Sequence, residues 1–177
     1  KALKILKLKK NVRLIDSSKV TFNDIWKFNS VDNFTLIQSE DRKIFSKKDF
    51  RIVSKKKPNK SQLDNLMFAF NVSRYTKSNA IVLANNKSTI GIGSGQPSRL
   101  DSCEIAINKM NKFSKIKNDI VAASDAFFPF VDGIEKLVQS GVCAIVQPAG
   151  SIRAKKIIKF ATETNTVLIF STTRPFT

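Results

Sequence analysis

Three loops that follow predicted strands hold the residues whose types and spacing are suited to ligand binding. The first loop begins with Gly91, Gly93 and Gly95 and delivers Arg99 into the first turn of a predicted helix. Glycines permit close backbone approach, so this stretch is either a ligand-binding loop or a tight strand-to-helix turn, and the residues alone leave both interpretations open. It is not a phosphate-binding P-loop, because the Lys-Ser/Thr pair that closes that motif is absent.

The second loop places three aromatic rings around a proline between two carboxylates. It runs Asp125-Ala-Phe-Phe-Pro-Phe-Val-Asp132. Core packing would explain one or two of the phenylalanines, whereas a Phe-Pro corner would also form the flat wall of a pocket for a planar ring. Asp132 would then lie at the start of the next helix, where the helix dipole favours its negative charge. Both interpretations remain open at this point.

The third loop, Gln147-Pro-Ala-Gly-Ser151, presents backbone N–H groups at a predicted helix start, which is suited to anionic or carbonyl groups. Arg174, near the end of the chain, is either a ligand-binding charge or an ordinary surface charge. The chain has no histidine, so neither a Ser-His nucleophile pair nor a histidine-containing metal site can be built from it. General acid-base chemistry would need other groups.

The elements that position these loops alternate between helix and strand from residue 61 onward. The apolar residues Leu63, Leu66, Met67 and Phe70 repeat at helical spacing after a capping signal at Ser61. Further helices are predicted over 98–110, 133–140 and 151–164, and strands over 80–84, 89–92, 120–124, 142–146 and 167–170. This order, αββαβαβαβ, predicts an α/β fold with a mixed sheet covered by helices on both faces.

The first sixty residues are less regular and more basic. Residues 1–10 are expected to end a helix whose beginning lies upstream, residues 12–15 and 34–37 to form short strands, and Trp26 and Phe28 to supply a local core. A lysine-rich connector over residues 54–60 marks a predicted boundary. The chain starts within a Leu/Ile-Lys pattern and not with Met, so we expect a fragment of a longer protein.

The charge is strongly positive. The chain carries 31 Lys+Arg against 14 Asp+Glu, a formal +17, and residues 1–60 hold 17 basic and 6 acidic residues, a net +11. We interpret this excess as a solvated lysine-rich surface and not as a groove that follows a nucleic-acid backbone. Cys103 and Cys143 have apolar neighbours and no CxxC spacing, so we expect buried, reduced thiols and a cytoplasmic location. No apolar run approaches the length needed to span a bilayer.

Four stretches together resemble a known family. They are residues 73–84, residues 90–102 (Ile-Gly-Ile-Gly-Ser-Gly-Gln-Pro-Ser-Arg-Leu-Asp-Ser), residues 124–133 (Ser-Asp-Ala-Phe-Phe-Pro-Phe-Val-Asp-Gly) and residues 147–151. In this order they are similar to the C-terminal part of the AICAR transformylase/IMP cyclohydrolase family, weakly over residues 1–60 and closely from residue 61.

The resemblance implies a three-layer α/β/α fold similar to that of cytidine deaminase. Residues 61–177 would be the second such repeat of the transformylase domain, and residues 1–60 a basic connecting segment of that domain. The zinc-binding residues of the deaminases are missing, so no metal is expected.

The resemblance also implies a reaction, in which 10-formyltetrahydrofolate gives its formyl group to the 5-amino group of AICAR to form FAICAR. The IMP cyclohydrolase activity would lie in an N-terminal domain outside this chain. The implied partners are AICAR, the folate co-substrate and a second copy in a homodimer that shares its active site, with neither nucleic acid nor membrane involved.

Site residues carry over position by position. The positions that match AICAR-binding residues are Asn79, Arg99, Phe127 and Arg174, and those that match folate-binding residues are Leu100, Asp132, Ser151 and Ile152. The catalytic Lys-His pair of the family lies upstream, so no catalytic residue is expected in this chain, which alone would be inert. Val131 stands where the family often has arginine, which removes a charge near the folate site.

Two alternatives come from other functional classes. One is a basic nucleic-acid-binding module that uses residues 1–60, which would bind with a steep salt dependence. The other is a purely structural half-domain that completes a homodimer interface.

Overall fold

The computed structural model describes residues 2–19, 26–41, 43–115 and 118–175. The chain divides into two compact units, residues 1–40 and residues 41–177. The first unit contains a short helix, α1 (Ala2–Leu6), and a hairpin of strands β1 (Trp26–Val31) and β2 (Phe34–Ser39). The hairpin turns at Asp32, whose φ of 49° is tolerated by a short polar side chain.

Some of the sequence predictions for the first unit are confirmed and others are wrong. The strand predicted over residues 34–37 is confirmed as part of β2, but the strand predicted over residues 12–15 is wrong. Asp16 accepts a hydrogen bond from the Ser18 backbone at 2.9 Å, a local turn that competes with extension of the chain there. Trp26 and Phe28 lie in β1 and are 55% and 65% exposed, so they are surface residues of the hairpin and not a local core.

The second unit is built on a six-stranded mixed sheet. Its order is β3-β8-β7-β6-β4-β5. The pairs β8–β7 and β7–β6 are parallel, and the other three pairs are antiparallel. The strands are β3 (Phe50–Ile52), β4 (Ile81–Asn85), β5 (Ser88–Gly93), β6 (Ile120–Ser124), β7 (Val142–Pro148) and β8 (Val167–Ser171).

Helices cover both faces of this sheet. They are α2 (Lys60–Ser73), α3 (Arg99–Phe113), α4 (Asp132–Gln139) and α5 (Ala154–Glu163), and a short 3-10 helix covers Lys47–Asp49. One buried apolar cluster lies between the sheet and α3, α4 and α5, and a second lies between the opposite face and α2. The α/β fold with helices on both faces of a mixed sheet, and the order αββαβαβαβ from residue 61, are confirmed.

Two helix starts differ from the sequence prediction. Helix α2 is capped by Asn59 and not by Ser61. The Asn59 side chain accepts from the Gln62 backbone N–H at 2.8 Å, and the Gln62 side chain accepts from the Asn59 backbone N–H at 3.1 Å. Helix α5 begins at Ala154 and not at residue 151, because Gly150 has a φ of +114° and the chain makes a separate turn before the helix.

The segment before residue 60 is joined to the sheet. Strand β3 pairs with β8 at the sheet edge, and the Val53 backbone donates to the Leu168 carbonyl at 3.0 Å. The compact unit therefore extends back to residue 41. The division of the family repeat at residue 60 stays a prediction.

The two cysteines are free thiols. Cys103 is fully buried, and burial raises the pKa of its thiol to about 12, so it stays protonated at neutral pH. Cys143 is half-buried and donates to the Ile120 carbonyl at 3.3 Å, and burial raises its pKa as well. The buried thiol predicted for Cys103 is confirmed, and that for Cys143 only in part.

None of the helices in the described ranges is long and apolar enough to cross a membrane. Across the same ranges, no group of three or more acidic or cysteine side chains is placed to hold a metal ion.

Candidate functional site

The three predicted ligand loops meet at one edge of the six-stranded sheet. The parallel strands β6, β7 and β8 end together at this edge. Strand β4 is antiparallel to both β6 and β5, so it begins there: Ile81 pairs with Ser124 on one side and with Gly93 on the other. The loops after β5, β6, β7 and β8 therefore converge with the residues that precede β4. Ligand sites in open α/β sheets gather outside such strand ends.

A cleft of about 500 Å³ opens at this edge, and it is called the first cleft below. Six of the eight predicted site residues line it: Asn79, Arg99, Leu100, Phe127, Asp132 and Arg174. All four positions matched to AICAR binding are in this group, together with two of the four matched to folate binding. The structure thus brings together residues that are up to 95 positions apart in the sequence.

A second cleft of about 380 Å³ adjoins the first. Its walls are formed by Phe127, Pro129, Phe130, Gly150, Ser151, Ile152 and Arg153. The remaining two predicted residues, Ser151 and Ile152, are in this cleft. The two clefts share Phe127, Pro129 and Phe130, so the aromatic loop is a common wall between them.

The aromatic loop performs both roles that the sequence left open. Phe128 is 1% exposed and belongs to the core on the α3–α5 side of the sheet. Phe127 and Phe130 are 39% and 51% exposed and line the clefts. One phenylalanine therefore anchors the loop, and the other two present their rings to ligand-sized space.

Arg99 is held by a buried ion pair behind the first cleft. Its Nη1 donates to Asp125 Oδ1 at 2.5 Å and to Ser124 Oγ at 2.8 Å, and Asp125 is only 2% exposed. The same carboxylate accepts from the Ala80 backbone at 3.0 Å and from the Ser78 hydroxyl. Three donors thus satisfy the carboxylate, and the guanidinium has one fixed orientation, as a buried charge pair requires.

Asn79 is locked between Arg99 and a neighbouring loop. Its Oδ1 accepts from Arg99 Nη2 at 2.7 Å, while its Nδ2 donates to the carbonyls of Gln96 at 2.9 Å and Pro97 at 3.0 Å. An amide has two N–H donors and two acceptor lone pairs. The Asn79 side-chain amide in this state can accept one more hydrogen bond and donate none.

The glycines of the first loop serve packing. A Cβ on Gly91 would lie 2.2 Å from the Ala106 carbonyl oxygen, and one on Gly93 would lie 1.9 Å from that of Ser102. Both therefore let β5 approach the backbone of α3. Gly95 instead has a φ of +68°, in the left-handed region. The structure supports the strand-to-helix turn for these glycines, and the residue that this turn presents to the first cleft is Arg99.

The remaining predicted residues differ in how they are held. Asp132 is the first residue of α4 and accepts from the Gly133 backbone at 2.7 Å, where the helix dipole favours its charge. Ser151 Oγ accepts from the Arg153 backbone at 3.2 Å and so stabilises the turn before α5. Ile152 and Arg174 are exposed side chains on the walls of the second and first clefts.

Sequence reasoning missed two residues of this site. In the sequence Asp125 is only the acidic end of the aromatic stretch, and its pairing with Arg99 depends on β4 lying beside β6. Arg153 was not singled out, yet its guanidinium carbon lies 4.1 Å from the centre of the Phe130 ring in the second cleft. Its position directly after the predicted Ser151 and Ile152 was the available signal.

The fold and the clefts define a mixed-sheet α/β domain with two adjoining ligand-sized sites at one sheet edge. Comparison with known proteins gives the family. A family model described as AICARFT/IMPCHase bienzyme matches residues 1–109, and the chain belongs to this family.

Individual relatives match nearly the whole chain. It is 38% identical over 174 residues to the bifunctional purine biosynthesis protein PurH of Chlorobium chlorochromatii. The aligned residues make up 98% of this chain and 33% of that protein. It is 42% identical over 176 residues to the protein of the same name from Leptospira biflexa. Here the aligned residues make up 99% of this chain and 34% of the relative. The chain thus spans about a third of the length of these curated relatives. These similarities support a role in purine biosynthesis.

Proposed function

We propose that this chain is part of phosphoribosylaminoimidazolecarboxamide formyltransferase. In this reaction the 5-amino group of AICAR takes the formyl group of 10-formyltetrahydrofolate, and the products are FAICAR and tetrahydrofolate. The observation that carries the proposal is the common wall: residues matched to AICAR and residues matched to folate line two clefts that share Phe127, Pro129 and Phe130. Group transfer requires donor and acceptor in direct contact, and adjoining clefts permit that contact.

AICAR would occupy the first cleft. The exposed guanidinium of Arg174 suits its phosphate, because an arginine fork donates two parallel hydrogen bonds to phosphate oxygens. The free lone pair of Asn79 Oδ1 would accept from the carboxamide or amino group of AICAR, and the Phe127 ring would pack against the imidazole. Arg99 has three of its five N–H groups engaged by protein, which leaves at most two for a ligand.

The folate would approach from the shared wall. The carboxylate of Asp132 can accept from the amino and ring N–H groups of the pterin, and Leu100 would supply apolar contact beside it. Ser151 and Ile152 would contact the folate from the second cleft. Because Asp132 and Leu100 lie in the first cleft with the AICAR residues, this arrangement would hold the formyl carbon near the amine.

The chemical step also needs a group that removes the proton of the attacking amine. The chain has no histidine, so the Lys-His pair that the family resemblance implies would have to come from residues outside it. We infer that this chain contributes binding and orientation, and that the complete site forms in the bifunctional protein as a homodimer with a shared active site. IMP cyclohydrolase activity would belong to another domain of that protein.

Titration calorimetry of the 177-residue chain with AICAR and with folic acid tests this assignment. Replacement of Arg174 by glutamine is expected to weaken AICAR binding about tenfold, because a phosphate loses a charge-assisted partner, and to leave folic acid binding unchanged. Asp132→Asn should weaken folic acid and leave AICAR largely unaffected.

The matched control is Arg51→Gln, which removes an exposed arginine of β3 that is not among the residues lining either cleft. It should change neither affinity. Absence of AICAR binding by the unaltered chain, or equal weakening of AICAR by Arg51→Gln and Arg174→Gln, would contradict the proposal.

A further inference from the structure

Arg153 is the one cation on the walls of the second cleft, among the residues that the structure describes. Its guanidinium carbon lies 4.1 Å from the centre of the Phe130 ring, a cation–π contact. Phe130 is itself half exposed and belongs to the wall shared by both clefts. A charged group and an aromatic face are therefore presented together at one side of the second cleft.

The cation–π contact leaves the guanidinium able to bind an anion. The ring attracts the charge and accepts no conventional hydrogen bond from the N–H groups, so two of them can still meet a carboxylate side by side. The contact with Phe130 also restricts the arginine to one orientation before a ligand arrives, so less side-chain entropy is lost on binding. The neighbouring turn is fixed by the bond from the Arg153 backbone to Ser151 Oγ at 3.2 Å.

The cleft around Arg153 is otherwise mostly apolar, with Phe127, Pro129, Phe130 and Ile152 on its walls. A cleft of about 380 Å³ with aromatic walls and a single cation fits a ligand segment that carries a flat ring followed by a carboxylate. A benzoyl ring linked to an amino-acid carboxylate has this order of groups.

We propose that Arg153 binds the carboxylates of the glutamyl end of the folate, while Phe127 and Phe130 contact its benzoyl ring. This inference rests on the proposed function, because it takes folate as the ligand of the second cleft. Arg153 thereby acts as a specificity residue that distinguishes folates with a glutamyl group from neutral pteroyl derivatives without one.

The test measures the affinity of the 177-residue chain for folic acid and for pteroic acid amide, in which a neutral carboxamide replaces the glutamyl group. The unaltered chain should bind folic acid about tenfold more tightly than the amide. Arg153→Gln should reduce the folic acid affinity to that for the amide and leave the affinity for the amide unchanged. Arg153→Lys should give an intermediate value, because it keeps the charge and loses the planar fork.

Lys155→Gln is the matched control, since it removes an exposed cation two residues away that is not on the cleft wall. It should leave the ratio of the two affinities unchanged. Equal affinities of the unaltered chain for folic acid and pteroic acid amide, or equal weakening of both ligands by Arg153→Gln, would overturn the role of Arg153 and leave the proposed function standing. Failure to bind either ligand would instead overturn the proposed function itself.

Discussion

Replacement of Arg99 by methionine is expected to lower the free energy of unfolding by about 3 kcal/mol, because it leaves the Asp125 carboxylate buried without its cation. Asp125 is 2% exposed and cannot regain water without local opening of the sheet edge. Bonds from Ser78 and the Ala80 backbone remain, so we expect the low end of the range for broken buried pairs. Urea unfolding of the chain measures the loss.

The double variant Arg99→Met/Asp125→Asn separates pairing from packing. It removes both charges and keeps similar volumes, and replacement of both partners of a buried pair costs much less than removal of one. We therefore expect the double variant to be more stable than Arg99→Met alone.

Lys136→Met is the matched control for this experiment. It breaks an ion pair with Glu104 that has the same 2.5 Å separation but is exposed on both sides. Water already solvates these charges, so the loss should be far smaller than for Arg99→Met. Equal losses in Lys136→Met and Arg99→Met would show that burial of the Arg99–Asp125 pair contributes nothing.

Gly93→Ala is expected to destabilise the chain by about 3 kcal/mol, at the upper end for overpacking, because its new methyl group meets backbone. The added Cβ would lie 1.9 Å from the Ser102 carbonyl oxygen and 2.9 Å from the Ser102 Cα. Neither atom can rotate away, so β5 and α3 would have to separate. Thermal and urea unfolding both report the change.

Gly95→Ala makes the same substitution two residues later without a backbone obstacle. The nearest atom to its Cβ would be the Lys77 side chain at 3.7 Å, so only the positive φ of +68° opposes the change. The expected loss is about 1 kcal/mol. A loss in Gly93→Ala no larger than that in Gly95→Ala would contradict the role of Gly93 in the approach of β5 to α3.

The order of elements was predictable because its signals are local and strong. Helix α2 has Leu66 and Phe70 buried on one face, as their spacing requires, and β6 is a run of apolar residues ending in Ser124 that is buried on both faces. Helix starts were less predictable, since neighbouring residues compete as caps. Asn59 and not Ser61 caps α2, because the Gln62 side chain accepts in turn from the Asn59 backbone N–H. The spacing of the residues alone does not decide between these two caps.

The family resemblance named positions that the structure places on the walls of the two clefts, but the sequence did not reveal how these positions are arranged. Nothing local in the sequence joins Arg99 to Asp125, which is 26 positions away, because their contact exists only once β4 lies between β5 and β6. For the same reason the sequence could not show that Asn79 has both N–H donors engaged by Gln96 and Pro97. The roles of the three phenylalanines likewise depend on which ring faces the sheet.

The central claim is that one sheet edge holds adjoining sites for AICAR and folate, and NMR chemical-shift mapping of the isotope-labelled chain tests it most directly. AICAR is expected to shift the resonances of Asn79, Arg99, Phe127 and Arg174. Folic acid should shift those of Leu100, Asp132, Ser151 and Ile152, and both ligands should perturb the shared wall at Phe127 and Phe130. Shifts confined to the lysine-rich residues 54–60, or no saturable shift with either ligand, would contradict it.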